Sequence, residues 1–186
     1  MARIERVHME FVAAEDRIRL RVRTNEPSEV RCWLTRRMAR RIWDALEQTM
    51  AADPDVAAAV SASERNALLA RKHARANTGR TAPQEAGAQD AGAPDADTVE
   101  PQLPLGDAPL LVTRMRIRPT DRGHKLSLLP VDEDERGIHI DMDDVLLHRF
   151  VALLARAVQQ TDWDLSITPP SLAGSLEDWQ PDERLH

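Results

Sequence analysis

A run of arginines at alternate positions is the feature of this sequence with the clearest chemical use. Residues 17–23, RIRLRVR, alternate arginine with aliphatic residues without a break. In a β-strand every second side chain points to the same face, so this pattern predicts four guanidinium groups in a row, at intervals of about 6–7 Å. That interval approximates the phosphate repeat of an extended single strand of nucleic acid.

Further cationic side chains and one aromatic side chain extend this row. Arg31 and Trp33 are predicted on the outward face of the next strand, and more arginines follow in a predicted helix, whose N-terminus attracts anions. The tryptophan is suited to stacking on a base or to holding an arginine by a cation–π contact. The candidate binding residues are Arg17, Arg19, Arg21, Arg23, Arg31, Trp33, Arg36, Arg37 and Arg40.

The same arginines have two structural explanations that need no ligand. They can pair with glutamates on neighbouring strands, or they can be covered by the acidic half or the acidic linker of the same chain. We therefore favour a non-enzymatic adaptor or accessory protein that binds a protein partner, with a second copy of the chain (a homodimer) as one candidate. The alternative hypothesis is a single-stranded DNA- or RNA-binding protein that uses the Arg/Trp33 face.

A second polar group lies before the last predicted helix. His139, Asp141 and Asp143 share one face by strand alternation, and Asp144 is adjacent. A cluster of carboxylates and histidine can hold a divalent ion. Two outward strand residues, a helix cap and an acidic first turn explain the same residues without a metal. His148 lies one turn along the helix, but no second histidine has metal-binding spacing, so we expect no metal site.

The sequence contains no pattern of a known catalytic site. Cys32 is predicted to point inward from a strand, as a small core residue and not as a nucleophile. No G-x-S-x-G, P-loop, Rossmann glycine pattern or C-x-x-C occurs, and the seven glycines do not cluster at a strand-to-helix turn. We therefore expect no enzymatic activity and no cofactor.

Two blocks of apolar periodicity must position these residues. In residues 1–73, strands are predicted over 4–12, 17–23 and 29–34, followed by a helix capped by Thr35. The apolar face of this helix is Met38, Ile42, Leu46 and Met50. The pair Asp53-Pro54 predicts the start of one further Ala-rich helix over about 54–73.

A stretch without periodicity separates the two blocks. Residues 74–108 are rich in Ala, Gly, Pro, Asp and Gln, and residues 81–108 contain six acidic and no basic side chains. Such a segment cannot bury enough apolar surface to offset the entropy lost on ordering, so it is predicted to be a disordered acidic linker.

The second block, residues 109–168, repeats the order of the first. Strands are predicted over 110–118, 124–129 and 137–142, followed by a helix from Asp143 with Leu146, Phe150, Leu153 and Leu154 on its apolar face. A short strand is predicted over 163–168, and residues 169–186 are predicted to be a loosely ordered tail. The expected fold is thus α+β, with two similar, pseudo-symmetric βββα units, each an antiparallel sheet covered by a helix.

This order of strands and helices is similar to the duplicated sheet-plus-helix units of the PUR-alpha and Whirly proteins, which bind single-stranded nucleic acid on their sheets. Those families have four strands in each unit, whereas three are predicted here, and no residue motif of theirs is present. The resemblance is one of topology and implies the nucleic-acid alternative alone.

Composition gives an expectation for the cellular location. A single cysteine cannot form an internal disulfide, which favours a reducing compartment. Residues 1–30 contain no apolar segment typical of a signal peptide, and no apolar run approaches the length of about 20 residues that a membrane helix needs. We expect a cytoplasmic protein without membrane contact.

Overall fold

The first sheet is built from the alternating strands of the N-terminal block. The structure, a computed structural model, describes residues 4–78, 101–131 and 136–170. Strands β1 (Ile4–Val12), β2 (Arg17–Thr24) and β3 (Glu29–Leu34) form an antiparallel meander, as the sequence predicts. A single 3₁₀ turn at Ala13–Glu15 joins β1 to β2. Ile18, Leu20 and Val22 of β2 are buried, because strand alternation turns all three to the inner face.

The helix that follows covers this inner face. Helix α1 (Arg36–Ala51) begins where the Thr35 hydroxyl accepts a hydrogen bond from the Met38 N–H at 3.3 Å, which confirms the predicted cap. Its buried side is Met38, Ala39, Ile42, Trp43, Leu46 and Met50. The four residues predicted at four-residue steps are all on this side, and Trp43 widens it.

The predicted helix over 54–73 is two helices. Helix α2 (Pro54–Ala57) is a single turn capped by Asp53, and α3 (Ala62–Thr78) starts afresh. The restart has a local cause, because Ser61 Oγ accepts from the Glu64 N–H at 3.1 Å while the Glu64 carboxylate accepts from the Val60 N–H at 2.9 Å. This is a variant of the Ser-x-x-Glu capping box in which the glutamate accepts from the residue before the cap, and the helix prediction over 54–73 overlooked this sequence signal.

Both ends of the predicted linker 74–108 are ordered. Helix α3 continues through Thr78. Gln102 pairs with Ser28 at the edge of the first sheet, where its N–H donates to the Pro27 carbonyl and its carbonyl accepts from the Glu29 N–H at 2.9 Å. Residues 79–100 of the predicted linker lie outside the described residues.

The predicted strand 110–118 is divided between two sheets. Leu110–Leu111 form β4, which pairs in parallel with β3, so the first sheet has the order β1-β2-β3-β4 and is mixed, not purely antiparallel. The Val112 N–H donates to the Trp33 carbonyl, and the next residue, Thr113, donates to Leu129 in the second sheet. The chain thus crosses between the two sheets within two residues.

The second sheet is the antiparallel meander of the C-terminal block. Its strands are β5 (Arg114–Thr120), β6 (Gly123–Leu129) and β7 (Ile138–Met142), followed by helix α4 (Asp144–Gln159). Asp143 caps α4 by accepting from the Leu146 N–H at 2.8 Å, as predicted. Among residues 160–170 no strand forms, which corrects the prediction for 163–168.

One hydrophobic core joins the two sheets and the helices. Phe150 and Leu154 of α4 are completely buried in the same core cluster as Leu20 of the first sheet and Leu126 of the second. Helix α4 packs against β1 as well as β7, and α1 contacts β5 as well as β3. Helices α1 and α4 therefore each contact elements of both blocks, and the architecture is α+β with two sheets sharing one interior.

Candidate binding face of the first sheet

Cross-strand register brings the predicted arginines together on the outer face of the first sheet. We call this surface the arginine face. In its central row Arg21 lies directly opposite His8 on β1 and Arg31 on β3. The neighbouring rows on this face are Glu10–Arg19–Trp33–Leu111 on one side and Arg6–Arg23–Glu29 on the other, with Val12–Arg17 at the end.

One carboxylate of the face is held by Arg19. Oε1 of Glu10 accepts from Nε of Arg19 at 2.7 Å and lies 2.6 Å from its Nη2. Partial burial alone would raise the pKa of Glu10, but this hydrogen bond and the charges of Arg19 and Arg21 outweigh burial and lower the pKa. Glu10 is therefore ionised at neutral pH and neutralises one guanidinium of the face.

The second carboxylate is buried beneath two arginines. Only 5% of the Glu29 side chain is exposed, and its two oxygens accept separate hydrogen bonds, from Nε of Arg23 at 2.9 Å and from Nε of Arg31 at 2.6 Å. Burial opposes ionisation, yet the hydrogen bond and charge of Arg31 and the charge of Arg23 hold the pKa of Glu29 below its ordinary value. This clamp fixes the orientation of both arginines.

Arg21, at the centre, lacks such a clamp. Its Nε is buried and has no hydrogen-bond partner among the described residues. The nearest carboxylate oxygen, Oε1 of Glu10, is 3.8 Å from Nη2 of Arg21 and already accepts from Arg19. Beside it, burial and then the charge of Arg21 lower the pKa of His8, so the imidazole adds no positive charge at neutral pH.

The arginine face remains partly open to solvent. The side chains of Arg17, Arg19, Arg21 and Arg23 are 36–41% exposed, and that of Arg31 is 33% exposed. Helix α1 packs on the inner face of the sheet, and within the described parts of the chain no acidic residue other than Glu10, Glu15 and Glu29 forms an ion pair with these five arginines. The face carries six arginines (at 6, 17, 19, 21, 23 and 31) and two glutamates, and Glu15 of the adjoining turn pairs with Arg17, so the net charge is +3.

The structure divides the nine predicted binding residues into two groups. Arg17, Arg19, Arg21, Arg23, Arg31 and Trp33 lie together on the arginine face. Arg36, Arg37 and Arg40 are exposed on α1, whose buried side packs against the opposite face of the sheet. No hydrogen bond or ion pair that the structure describes joins these three to the arginine face, so they are not part of the same surface.

Six further residues lie on the arginine face although they are not among the predicted binding residues: Arg6, His8, Glu10, Val12, Glu29 and Leu111. The position of His8 on this face can be predicted from strand alternation alone. The position of Glu29 can be predicted because it lies two residues before Arg31 on the same strand. Leu111, 39% exposed, belongs to the predicted strand 110–118, but no sequence signal indicates that it pairs beside Trp33 in the first sheet.

The acidic cluster near α4 has structural partners. Nδ1 of His139 and Oγ of Ser127 are 2.9 Å apart, and Asp141 forms an ion pair with Lys125 at 3.5 Å. Asp143 is the helix cap. Among the described residues, no three His, Cys, Asp or Glu side chains are arranged to hold a metal ion.

A buried polar contact between α3 and α4 was not predicted. The rings of His73 and His148 meet edge to face, with centroids 5.7 Å apart, and Nδ1 of each ring is buried without a hydrogen-bond partner. Lys72 lies beside them and binds Asp53 at 2.6 Å and Asp144 at 3.7 Å. Burial and then the charge of His148 lower the pKa of His73.

A comparison of the chain with models of protein families, with curated proteins and with solved structures finds no match. In the part of the chain that the structure describes, no helix combines the length and the apolar character needed to cross a bilayer.

Proposed function

We propose that this chain is a non-enzymatic interaction protein whose arginine face binds an acidic segment of a partner protein. The observation that carries the proposal is the uncompensated charge of that face: six arginines meet three glutamates, counting Glu15 beside Arg17, and the arginine side chains of β2 are 36–41% exposed. A surface of one sign attracts a partner of the opposite sign and raises the rate of association.

The composition of the face favours a polypeptide over a nucleic acid. Glu10 and Glu29 place two ionised carboxylates within the face, where they repel a continuous row of phosphates. Among the residues that the structure describes on this face, Trp33 is the one Trp, Tyr or Phe side chain, whereas non-specific binding of single strands depends on several stacking platforms. Leu111 beside Trp33 supplies an apolar patch that suits a side chain of a protein.

A second copy of the chain is a poor occupant of this face. Two arginine faces would repel each other, because each carries a net positive charge. A homodimer through this surface would need an acidic region of the other copy, so we propose a different protein as the partner.

The internal duplication remains part of this proposal. Both blocks run strand–strand–strand–helix, and both place arginines at alternate positions on a strand, at 17–23 and at 114–118. We propose that the two units are pseudo-symmetric copies and that the first of them provides the partner-binding sheet.

Binding of a labelled acidic peptide tests the function. The probe is a fluorescein-labelled peptide of alternating glutamate and serine, and the readout is fluorescence anisotropy at increasing salt. We expect salt-dependent binding to the wild-type chain and a loss of about tenfold or more in R19E/R21E. The matched control is R65E/R71E, which makes the same change in charge on exposed positions of α3 and is expected to bind normally.

Two results would overturn the proposal. The first is no salt-dependent binding of the peptide, or equal losses in R19E/R21E and R65E/R71E. The second is tighter binding of labelled oligothymidylate than of the peptide, which would support the nucleic-acid alternative instead. Circular dichroism of each variant separates a binding defect from unfolding.

A further inference from the structure

We propose that the centre of the arginine face, at His8, Arg21 and Arg31, is a binding position for a phosphoryl group, so that the acidic partner is a phosphorylated polypeptide. This inference rests on the proposed function and specifies its ligand. It is carried by the row that these residues form across β1, β2 and β3 and by the buried Nε of Arg21, which has no hydrogen-bond partner.

The central row contains no carboxylate, unlike the row on either side of it. Glu10 lies in the row on one side and Glu29 in the row on the other. Directly opposite residues on neighbouring strands have Cβ atoms about 4.5–5.5 Å apart, so the side chains of His8 and Arg31 flank Arg21 closely. An oxyanion above this row would be surrounded by donors on both sides.

The hydrogen bonds of each arginine indicate which guanidinium is available to bind an oxyanion. Arg19, Arg23 and Arg31 are already fixed by hydrogen bonds from Nε to Glu10 or Glu29. Arg21 has a donor, Nε, without an acceptor, although its Nη2 remains 3.8 Å from Glu10. Because a buried donor without a partner costs free energy, rotation of this guanidinium toward an incoming oxyanion gains two charge-assisted hydrogen bonds and removes that cost.

The local charge distinguishes a phosphate monoester from other anions. The four arginines around the centre, at 19, 21, 23 and 31, meet two glutamates, which leaves an excess charge of +2. A phosphorylated side chain carries about −1.5 to −2 at neutral pH, whereas a carboxylate or a backbone phosphate of nucleic acid carries about −1. The excess therefore matches a monoester.

His8 provides a readout inside the site. In the free protein burial and the charges of Arg21 and Arg19 lower its pKa. A phosphoryl group bound between these arginines would stabilise the protonated imidazole, so the pKa of His8 should rise when the site is filled. A residue with only a structural role would not give this response to inorganic phosphate.

Two peptides that differ by one phosphate test the inference. One is the acidic peptide with a serine at its centre and the other has phosphoserine there, and both are measured by anisotropy against the wild-type chain, R21Q and R65Q. We expect the phosphopeptide to bind the wild-type chain about tenfold more tightly, R21Q to lose that preference, and R65Q, on an exposed position of α3 away from the face, to keep it. In parallel, NMR titration of the His8 ring in saturating inorganic phosphate should show a higher pKa than in chloride.

The results separate this inference from the function on which it rests. Equal binding of the two peptides, or a phosphate preference that persists in R21Q, would overturn the phosphoryl position and leave an acidic partner in place. Failure of both peptides to bind would remove the proposed function together with the inference. An unchanged His8 pKa in saturating phosphate would show that the anion binds elsewhere.

Discussion

The indole of Trp163 is tied to Asp16, a residue 147 positions earlier in the chain, by a hydrogen bond of 2.6 Å from Nε1 to Oδ1. Asp16 ends the 3₁₀ turn between β1 and β2 with φ of 47°, in the left-handed region that aspartate tolerates better than most residues. The ring of Trp163 also meets Phe11 edge to face, with centroids 5.7 Å apart. These two contacts hold the segment after α4 against the first sheet.

Replacement of Trp163 should separate the contribution of its hydrogen bond to stability from the contribution of its packing. We expect W163F to lower the free energy of unfolding by about 1 kcal/mol, because it keeps an aromatic ring beside Phe11 but loses the donor. W163A should cost about 3–5 kcal/mol, because this side chain is only 3% exposed. Urea unfolding measures both values, and equal costs for the two variants would contradict a separate role for the hydrogen bond.

The tight turn between β5 and β6 depends on Gly123. Its φ is 138°, and a Cβ atom there would lie 2.2 Å from the carbonyl oxygen of Met142. We expect G123A to cost about 3 kcal/mol or more, since conformational strain and a backbone clash add. Gly106 is the matched control, because its φ is 92° but nothing lies within 4 Å of its Cβ position. G106A should cost about 1 kcal/mol, and a similar loss in both variants would show that the clash is relieved.

The contact between His73 and His148 should make stability sensitive to acid. Burial lowers the pKa of both imidazoles; the charge of His148 lowers that of His73 further, and for His148 the nearby Asp144 opposes the shift while Lys72 adds to it. The unfolded chain therefore binds more protons than the native state between the ordinary value of 6.5 and the lowered native values. The stabilisation is complete above that window and is lost as the pH falls through it, by up to about 1.4 kcal/mol per pH unit for each histidine.

Unfolding in urea at several pH values checks whether the free energy of unfolding falls on acidification. H148F retains a ring beside His73 but cannot be protonated, so its stability should fall less on acidification than that of the wild-type chain. His8 also has a lowered pKa, and H8Q serves as the control that removes its contribution. A pH dependence that is unchanged in H148F would contradict the proposed source.

Cys32 should be inert toward thiol reagents in the native state. The residue is completely buried, and burial raises the pKa of its thiol to about 12. Because the thiolate is the reactive form, we expect no reaction with Ellman's reagent at neutral pH until the chain is unfolded in guanidinium chloride. Rapid reaction of the folded protein would mean that β3 opens readily.

Local patterns in the sequence were sufficient to predict the strands and helices that carry the arginine face. Strict alternation at 17–23 determined which side of β2 is buried, and Thr35 and Asp143 marked the starts of α1 and α4, because caps and side-chain periodicity depend on neighbours in the chain. The restart of a helix at Ser61 was also encoded locally, in the hydrogen bonds that join Glu64 to Ser61 and to Val60, but it was hidden by an Ala-rich composition that suits one continuous helix.

Relationships between distant residues were decided only by the tertiary structure. Whether the arginines are paired depends on register, which places Arg19 opposite Glu10 and leaves Arg21 without a carboxylate in its row. The parallel pairing of β4 with β3, the ring contact of His73 with His148 and the bond from Trp163 to Asp16 each join residues dozens of positions apart. The sequence by itself determined the strands, the helix starts and the faces that must be buried. Long-range packing decided how those faces share one core and which charges remain uncompensated. Local periodicity contains no information on such packing.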